Sequence, residues 1–206
     1  QEVIGDTRFD RVFEICQNKK EFPIVKAFTQ NKSCLIIGSD SQEDIEMTAP
    51  FFNHFNNDLQ LIIASHEIDK TTIQKMKKCF TKKSINYSEA NTENVKEKSI
   101  LFIDNIGMLS SLYQYAQFVH IGGAFGKGLH NTLEAATYGV PIFFGPNYQK
   151  FQEAIDLVNL GGGFSIQNTQ EFTEKFTQLY TDKSEHKIVC QITEKYVQQN
   201  LGASQK

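Results

Sequence analysis

No run of apolar residues in this sequence is long enough to cross a bilayer, and no signal peptide is present. Net charge is nearly absent too, at −3 over 206 residues. That balance removes the electrostatic case for a nucleic-acid partner. The lysines that do cluster, Lys75, Lys77, Lys78, Lys82 and Lys83, read as the solvated end of a helix. Cys16, Cys34, Cys79 and Cys190 lie far apart with no CxxC pair, which fits reduced, packed thiols in a cytosolic setting. There is no internal repeat and no low-complexity tract. The first residues are Gln1-Glu2, without an initiator methionine, so a piece of a longer protein is expected, with any membrane anchor in the missing part.

What is present is an alternation of short apolar runs with longer amphipathic segments. That pattern predicts an α/β fold, a Rossmann-like parallel sheet flanked by helices. Strands are expected at 34–37, 59–64, 100–103, 118–121 and 141–144, with a weaker one at 163–166. Uninterrupted apolar runs of this length suit strands buried on both faces. Helices are expected at 42–57, 69–80, 108–115, 130–138, 151–159, 171–180 and 185–199, and the opening segment 7–28 should be helical and pack on one edge. Ser41, followed three residues later by Asp44, is a relative of the capping box. The run Gly161-Gly162-Gly163 reads as a helix stop.

In open α/β sheets, ligands bind beyond the carboxyl ends of the strands. Five loops qualify: 38–41, 65–67, 104–108, 122–130 and 145–148. The fourth is the most informative. Gly122, Gly123, Gly126 and Gly128 stand between a buried strand and a polar helix start. Glycine serves sharp turns and close backbone approach, and a helix opening on His130 and Asn131 would offer N–H groups to a phosphate. Glu134, three residues after Asn131 and four after His130, would share their face and accept hydrogen bonds from ribose hydroxyls. Each residue also has a plainer reading. Glycines mark many ordinary turns, Glu134 could be a solvated helix glutamate, and Lys127 fits a phosphate or open solvent equally well. Arg8 is expected in a surface salt bridge, and Ser39 and Asp40 either approach the sugar or cap a helix. His66 contacts ligand or packs its loop. His54, His120 and His186 read as structural, and Tyr113 and Tyr115 as packing residues. His130 and Glu134 have helical spacing for a metal, but no third ligand follows, so no metal is expected.

Several of these stretches together resemble a known family. Gly122-Gly123, Gly128, then 130–136 (HNTLEAA), Gly139-Val140-Pro141, Phe144-Gly145-Pro146-Asn147 and Phe151 look like the donor half of 3-deoxy-D-manno-octulosonate (Kdo) transferase. Residues 5–10, 37–39 and 104–109 agree in order and spacing. The resemblance implies the C-terminal half of a GT-B glycosyltransferase, which moves Kdo from CMP-Kdo onto lipid A precursor with inversion and without metal or other cofactor. It also implies that an N-terminal domain, absent here, holds the acceptor and a glutamate general base, so that this chain alone does not catalyse transfer. The full-length protein would then sit at the cytoplasmic face of the inner membrane, with this piece soluble.

Carried onto this sequence, the resemblance places Glu134 on the ribose and Gly122, Gly123, Gly128 and Asn131 at the phosphate. It places Ile106, Gly107 and Met108 along the cytosine and Asn147 near the phosphate or sugar; Ser39, His66, Lys127 and His130 complete the expected site. The chain departs from the family in three ways. The loop from Gly123 to His130 is one residue short, Thr132 replaces a common proline, and an arginine usual after the second strand is missing from Ser65-His66-Glu67, where His66 takes over part of its role. Two other readings stay open: a GT-B transferase or epimerase that uses a UDP-sugar, and a binding module without turnover.

Overall fold

A computed structural model describes residues 6–30, 32–55, 58–126 and 128–202. All expected strands form, and one more joins them. In chain order they are β1 (Ser33–Asp40), β2 (Leu59–Ser65), β3 (Ser84–Asn86), β4 (Ile100–Phe102), β5 (Phe118–Ile121), β6 (Ile142–Phe144) and β7 (Gly163–Ser165). They make one seven-stranded sheet in the order β3-β4-β2-β1-β5-β6-β7, and every pairing is parallel. The unexpected β3 carries Ser-Ile-Asn, with only Ile85 buried. A single inward residue leaves no apolar run for sequence reading to find.

Alternation along the strands divides the core in two. Ile36, Ile62, Leu101, Val119, Ile121, Ile142 and Phe144 face one helical layer. Leu35, Ile37, Leu61, Ile63, Phe102, Phe118 and Phe143 face the other. The first layer holds α1 (Thr7–Gln17), α2 (Pro23–Thr29), α5 (Leu109–Leu112), α6 (Leu133–Ala136) and α7 (Gln152–Leu160); the second holds α3 (Gln42–His54), α4 (Lys70–Lys77) and α8 (Thr169–Thr181). The last helix, α9 (Lys183–Gln199), serves both, with Val189 in the second core and Tyr196 and Val197 in the first.

Several helical expectations change. The helix expected over 69–80 ends at Lys77, and the one expected over 108–115 is α-helical only over Leu109–Leu112, with a 3-10 turn at Tyr113–Tyr115. The opening segment is two helices rather than one, and α1 packs on α5 and α6, beside the middle of the sheet, not along its edge. α3 ends at His54, where Phe55 turns to extended backbone; positions 56 and 57 lie outside the described residues. The helix expected over 130–138 is only Leu133–Ala136. The Asn131 carboxamide oxygen accepts the Leu133 amide at 3.0 Å, and the His130 amide donates to Gly122 O at 3.2 Å. Such side-chain and loop bonds compete with helical ones, so His130 and Asn131 precede the helix instead of opening it. By contrast, the stop at Gly161 forms as expected, with Gly161 at φ 86° closing α7.

From β1 the chain works outward through β2 to the edge strand β3, steps back to β4, and then crosses to lay β5 on the other side of β1. The switch point therefore lies between β1 and β5, and a parallel sheet sends both following loops to the same rim.

Candidate functional site

At the switch point the loops after β1 and β5 touch backbone to backbone. A methyl group on Gly122 would lie 2.4 Å from Asp40 Cα and 2.5 Å from Ser39 O, so only glycine permits this approach. β1 slips register between Gly38 and Asp40, and Ser39 sits at φ 53°. This bulge lifts Ser39 out of the ladder and places it on the wall of a cleft.

Below the glycine loop lies a buried carboxylate–imidazole pair. Asp44 and His120 are both fully buried, with Nε2 of the imidazole 2.8 Å from Asp44 Oδ1. Oδ2 accepts the Gly123 amide at 2.9 Å, the Ser41 amide at 2.9 Å and the Ser41 hydroxyl at 2.8 Å. The helix-start motif seen in the sequence is thus also the anchor of the loop. Burial opposes the Asp44 charge, but His120 and the two amides outweigh it and hold the carboxyl at about 2.

Asp40 has the opposite environment. It is 2% exposed, Oδ2 accepts only the Ser65 hydroxyl at 3.3 Å, and Oδ1 has no partner among the described residues. Burial, with Asp44 nearby, pushes it up to about 8. In the unfolded chain the same group ionises near the ordinary carboxylate value, so the folded state binds more protons and stability falls as pH rises from about 4 to 8. Asp40→Asn should remove that slope. Thermal unfolding at pH 5 and pH 8 should show the variant gaining on the parent at the higher pH, by the order of a few kcal/mol; an equal gap at both pH values would contradict the assignment.

The amides of the loop's four glycines are already in use. Gly122 N donates to Gly38 O, Gly123 N to Asp44, and Gly126 N and Gly128 N to Gly123 O. The expectation that these glycines present N–H groups to a phosphate therefore meets a loop whose amides hold the loop itself. Gly123, at φ 93°, also gives room to the His130 ring, whose Cδ2 would lie 2.8 Å from an added methyl.

Side chains face the clefts instead. Leu129, Thr132 and Leu133 are buried and pin the segment, which leaves His130, Asn131 and Glu134 on its outer side. Asn131 Nδ2 donates to Glu134 Oε1 at 3.2 Å. These three residues divide two adjoining clefts. One, of about 340 Å³, is completed by Ser39, Gly107, Leu109, Ser110 and Tyr113. The other, of about 410 Å³, is completed by Arg8, Arg11, Val12, Ile15, Leu133, Phe151 and Glu153. Burial pushes the Glu134 carboxyl up, and the Asn131 hydrogen bond pulls the other way.

The other expected residues spread out around this centre. His66 is exposed, and its ring lies 4.9 Å from that of His130. Gly107 lines the smaller cleft, Ile106 is 86% exposed, and Met108 points into the core at 7%. Asp104 ties their loop to the turn after β3 through the Ser88 amide and hydroxyl. Asn147 does not line either cleft; its amide donates to Ala124 O at 2.9 Å and braces the glycine loop. Arg8 forms the expected salt bridge, with Asp6 and with Glu153. Tyr113 is buried in the core and lines the smaller cleft as well; Tyr115 OH accepts the Phe22 amide. Lys127 and Gly5 lie outside the described residues. Sequence reading missed the Asp44–His120 pair and the part played by Asp40. One signal was available: a histidine in the middle of a fully apolar strand needs a buried partner.

No family model matches the chain. Among curated proteins, it is 27% identical over 181 residues to the 3-deoxy-D-manno-octulosonic acid transferase of Aquifex aeolicus, covering 84% of this chain and 48% of that protein. Several further transferases of that name match at similar identity. The chain is a homologue of the Kdo transferases. It spans about half the length of the curated relatives it matches. Among solved structures, the C-terminal CMP-Kdo binding domain of WaaA from Acinetobacter baumannii superposes with a TM-score of 0.70 at 17% identity, over 92% of this chain and 99% of that one. HepE of Anabaena, in complex with UDP-glucose, gives 0.63 at 12% identity, over 91% of this chain and 51% of its own. The fold is thus that of the C-terminal half of a GT-B glycosyltransferase, as the Kdo-transferase likeness implied. Among the described residues, no helix is long and apolar enough to cross a membrane.

Proposed function

We propose that this chain binds the donor of a Kdo transferase, with the cytidine monophosphate part of CMP-Kdo lying across the two clefts that meet at Glu134. The observation that carries the reading is the convergence of His130, Asn131 and Glu134 beside the switch point, with Ser39 and Gly107 on the facing wall. A half-buried carboxylate next to a carboxamide suits the two hydroxyls of a ribose. The base then stacks toward Gly107 and Ser110, and the phosphate lies toward His130.

On this reading the chain's part in transfer is electrostatic. Positioned donors around the phosphate stabilise charge as CMP departs, and the sugar–oxygen bond breaks more easily. Because the glycine amides are engaged, that work falls on side chains at the rim. The lipid A precursor and the general base belong to a second domain, within the half of the relatives' length that this chain does not cover. The membrane association of the whole enzyme would come from there as well.

Calorimetric titration with CMP, UMP and ADP tests the reading. CMP should bind at least about tenfold more tightly than the others, a gap of about 1.4 kcal/mol. Preference for UMP would move the function to a UDP-sugar enzyme, the reading that the likeness to HepE favours. CMP preference without transfer once the acceptor domain is joined would leave a binding module.

A further inference from the structure

Two imidazoles from different loops meet at the mouth of the site. His66, after β2, and His130, after β5, have ring centroids 4.9 Å apart and planes 30° apart. The contact is built in. The His66 amide is held by Asp40 O at 3.4 Å, and the His130 amide by Gly122 O at 3.2 Å. Gly123 leaves the space that the His130 ring fills. Facing rings at this distance lie in one another's field, which opposes a charge on His130. Burial and the His66 ring lower the affinity of His130 for a proton, while Asp44 raises it.

We propose that the facing His66–His130 pair is the anion-reading element of this site, and that it takes up a proton from solvent when a cytidine phosphodiester binds. The proposal rests on the donor-site reading above and goes beyond it. The proton arrives from bulk water, is held on a ring nitrogen of the pair and leaves with the ligand; no covalent bond changes.

The surroundings set the sign. Asp44 on α3 and Glu134 on the His130 segment favour an imidazolium, as does Glu67 beside His66 in the chain. Arg8 and Arg11 on α1 line the larger cleft and disfavour it, although Arg8 is already paired with Asp6 and with Glu153 on α7. Without ligand, the His66 ring 4.9 Å away and burial both oppose a charge on His130. A phosphate in the cleft supplies the missing counter-charge and draws the proton in. A neutral ligand such as cytidine supplies none. The pair would therefore discriminate by charge where the rest of the cleft discriminates by shape.

The experiment is calorimetry of this chain with the methyl ester of CMP, a phosphodiester with no group of its own titrating near neutrality. Titrations at pH 7 in buffers of different ionisation enthalpy give the protons taken up. Net uptake of a fraction of a proton per ligand is expected, and affinity should fall about tenfold from the acid to the alkaline limit, as for one imidazole raised by one pKa unit. Cytidine should bind without uptake. Replacing both rings, in His66→Ala/His130→Ala, should abolish uptake and weaken the ester more than cytidine. His66→Arg, which puts a fixed charge beside His130, should keep ester affinity with little uptake. Ester binding that moves no proton would overturn the proposal and leave the donor-site reading intact. Uptake that survives in the double variant would overturn it equally. If neither ester nor cytidine binds, the donor-site reading fails and this inference fails with it.

Discussion

Asp44→Ala should lower the stability of this chain by about 3–5 kcal/mol, the range for removing one partner of a buried pair. The carboxylate is fully buried and accepts from His120, Ser41 and Gly123. Its loss strands an imidazole, a hydroxyl and two amides away from water, and each unmade bond carries a desolvation penalty. Asp44→Asn keeps one acceptor oxygen and should lose less. Urea unfolding followed by circular dichroism measures both; an alanine variant within 1 kcal/mol of the parent (roughly the surface-substitution range) would rule out an anchoring role. Acid should act through the same group. Its folded value of about 2 lies below the ordinary 3.8, so its contribution is complete above about pH 4 and disappears toward pH 2. The amount involved is about 2 kcal/mol.

Glu134→Ala should leave the fold intact and weaken CMP binding by about 10- to 100-fold, as expected for hydrogen bonds from ribose hydroxyls to a charged acceptor. The residue bridges both clefts and is half-buried, and its carboxylate has one hydrogen-bond partner among the described residues, Asn131, which it can share with a ligand. Because burial raises its carboxyl, the effect should diminish toward acid pH, where the parent also loses the charge. Calorimetry at pH 7.5 measures the loss, and deoxycytidine nucleotides provide a check. If the lost energy comes from ribose, the parent should discriminate against the deoxy form and the variant should not. Equal CMP affinity in parent and variant would remove the ribose assignment.

Much of this architecture was legible because buried parallel strands advertise themselves. Runs such as Leu61-Ile62-Ile63 have no polar face to hide, so the strands and the loops that follow them were legible, while their order and the switch point came only with the structure. The candidate site was legible as a location. Gly122 and Gly123 marked a close approach, and Glu134 marked the cleft that both loops frame. What approaches the glycines was not legible: the neighbour is the β1 loop, and the Gly123 amide answers to Asp44, 79 positions earlier. Such pairings depend on which strands are adjacent, and local patterns do not encode that. The short α6 escaped for a related reason. Asn131 has acceptable helix propensity, but its side chain bonds two residues ahead, and the backbone at His130 follows a loop bond instead.

The closed hydrogen-bonding of the glycine loop has a consequence for how this site can change. A loop whose glycine amides are held within the fold arrives already shaped at those positions, so a ligand forfeits little entropy in ordering them. Its glycines are then fixed by the fold, and altering them damages the scaffold whatever nucleotide is bound. The side chains set upon that scaffold, His66, His130, Asn131 and Glu134, are free of this constraint. One frame of this kind can be refitted to a different donor by replacing the few residues on its rim while the strands, the bulge and the loop beneath stay as they are.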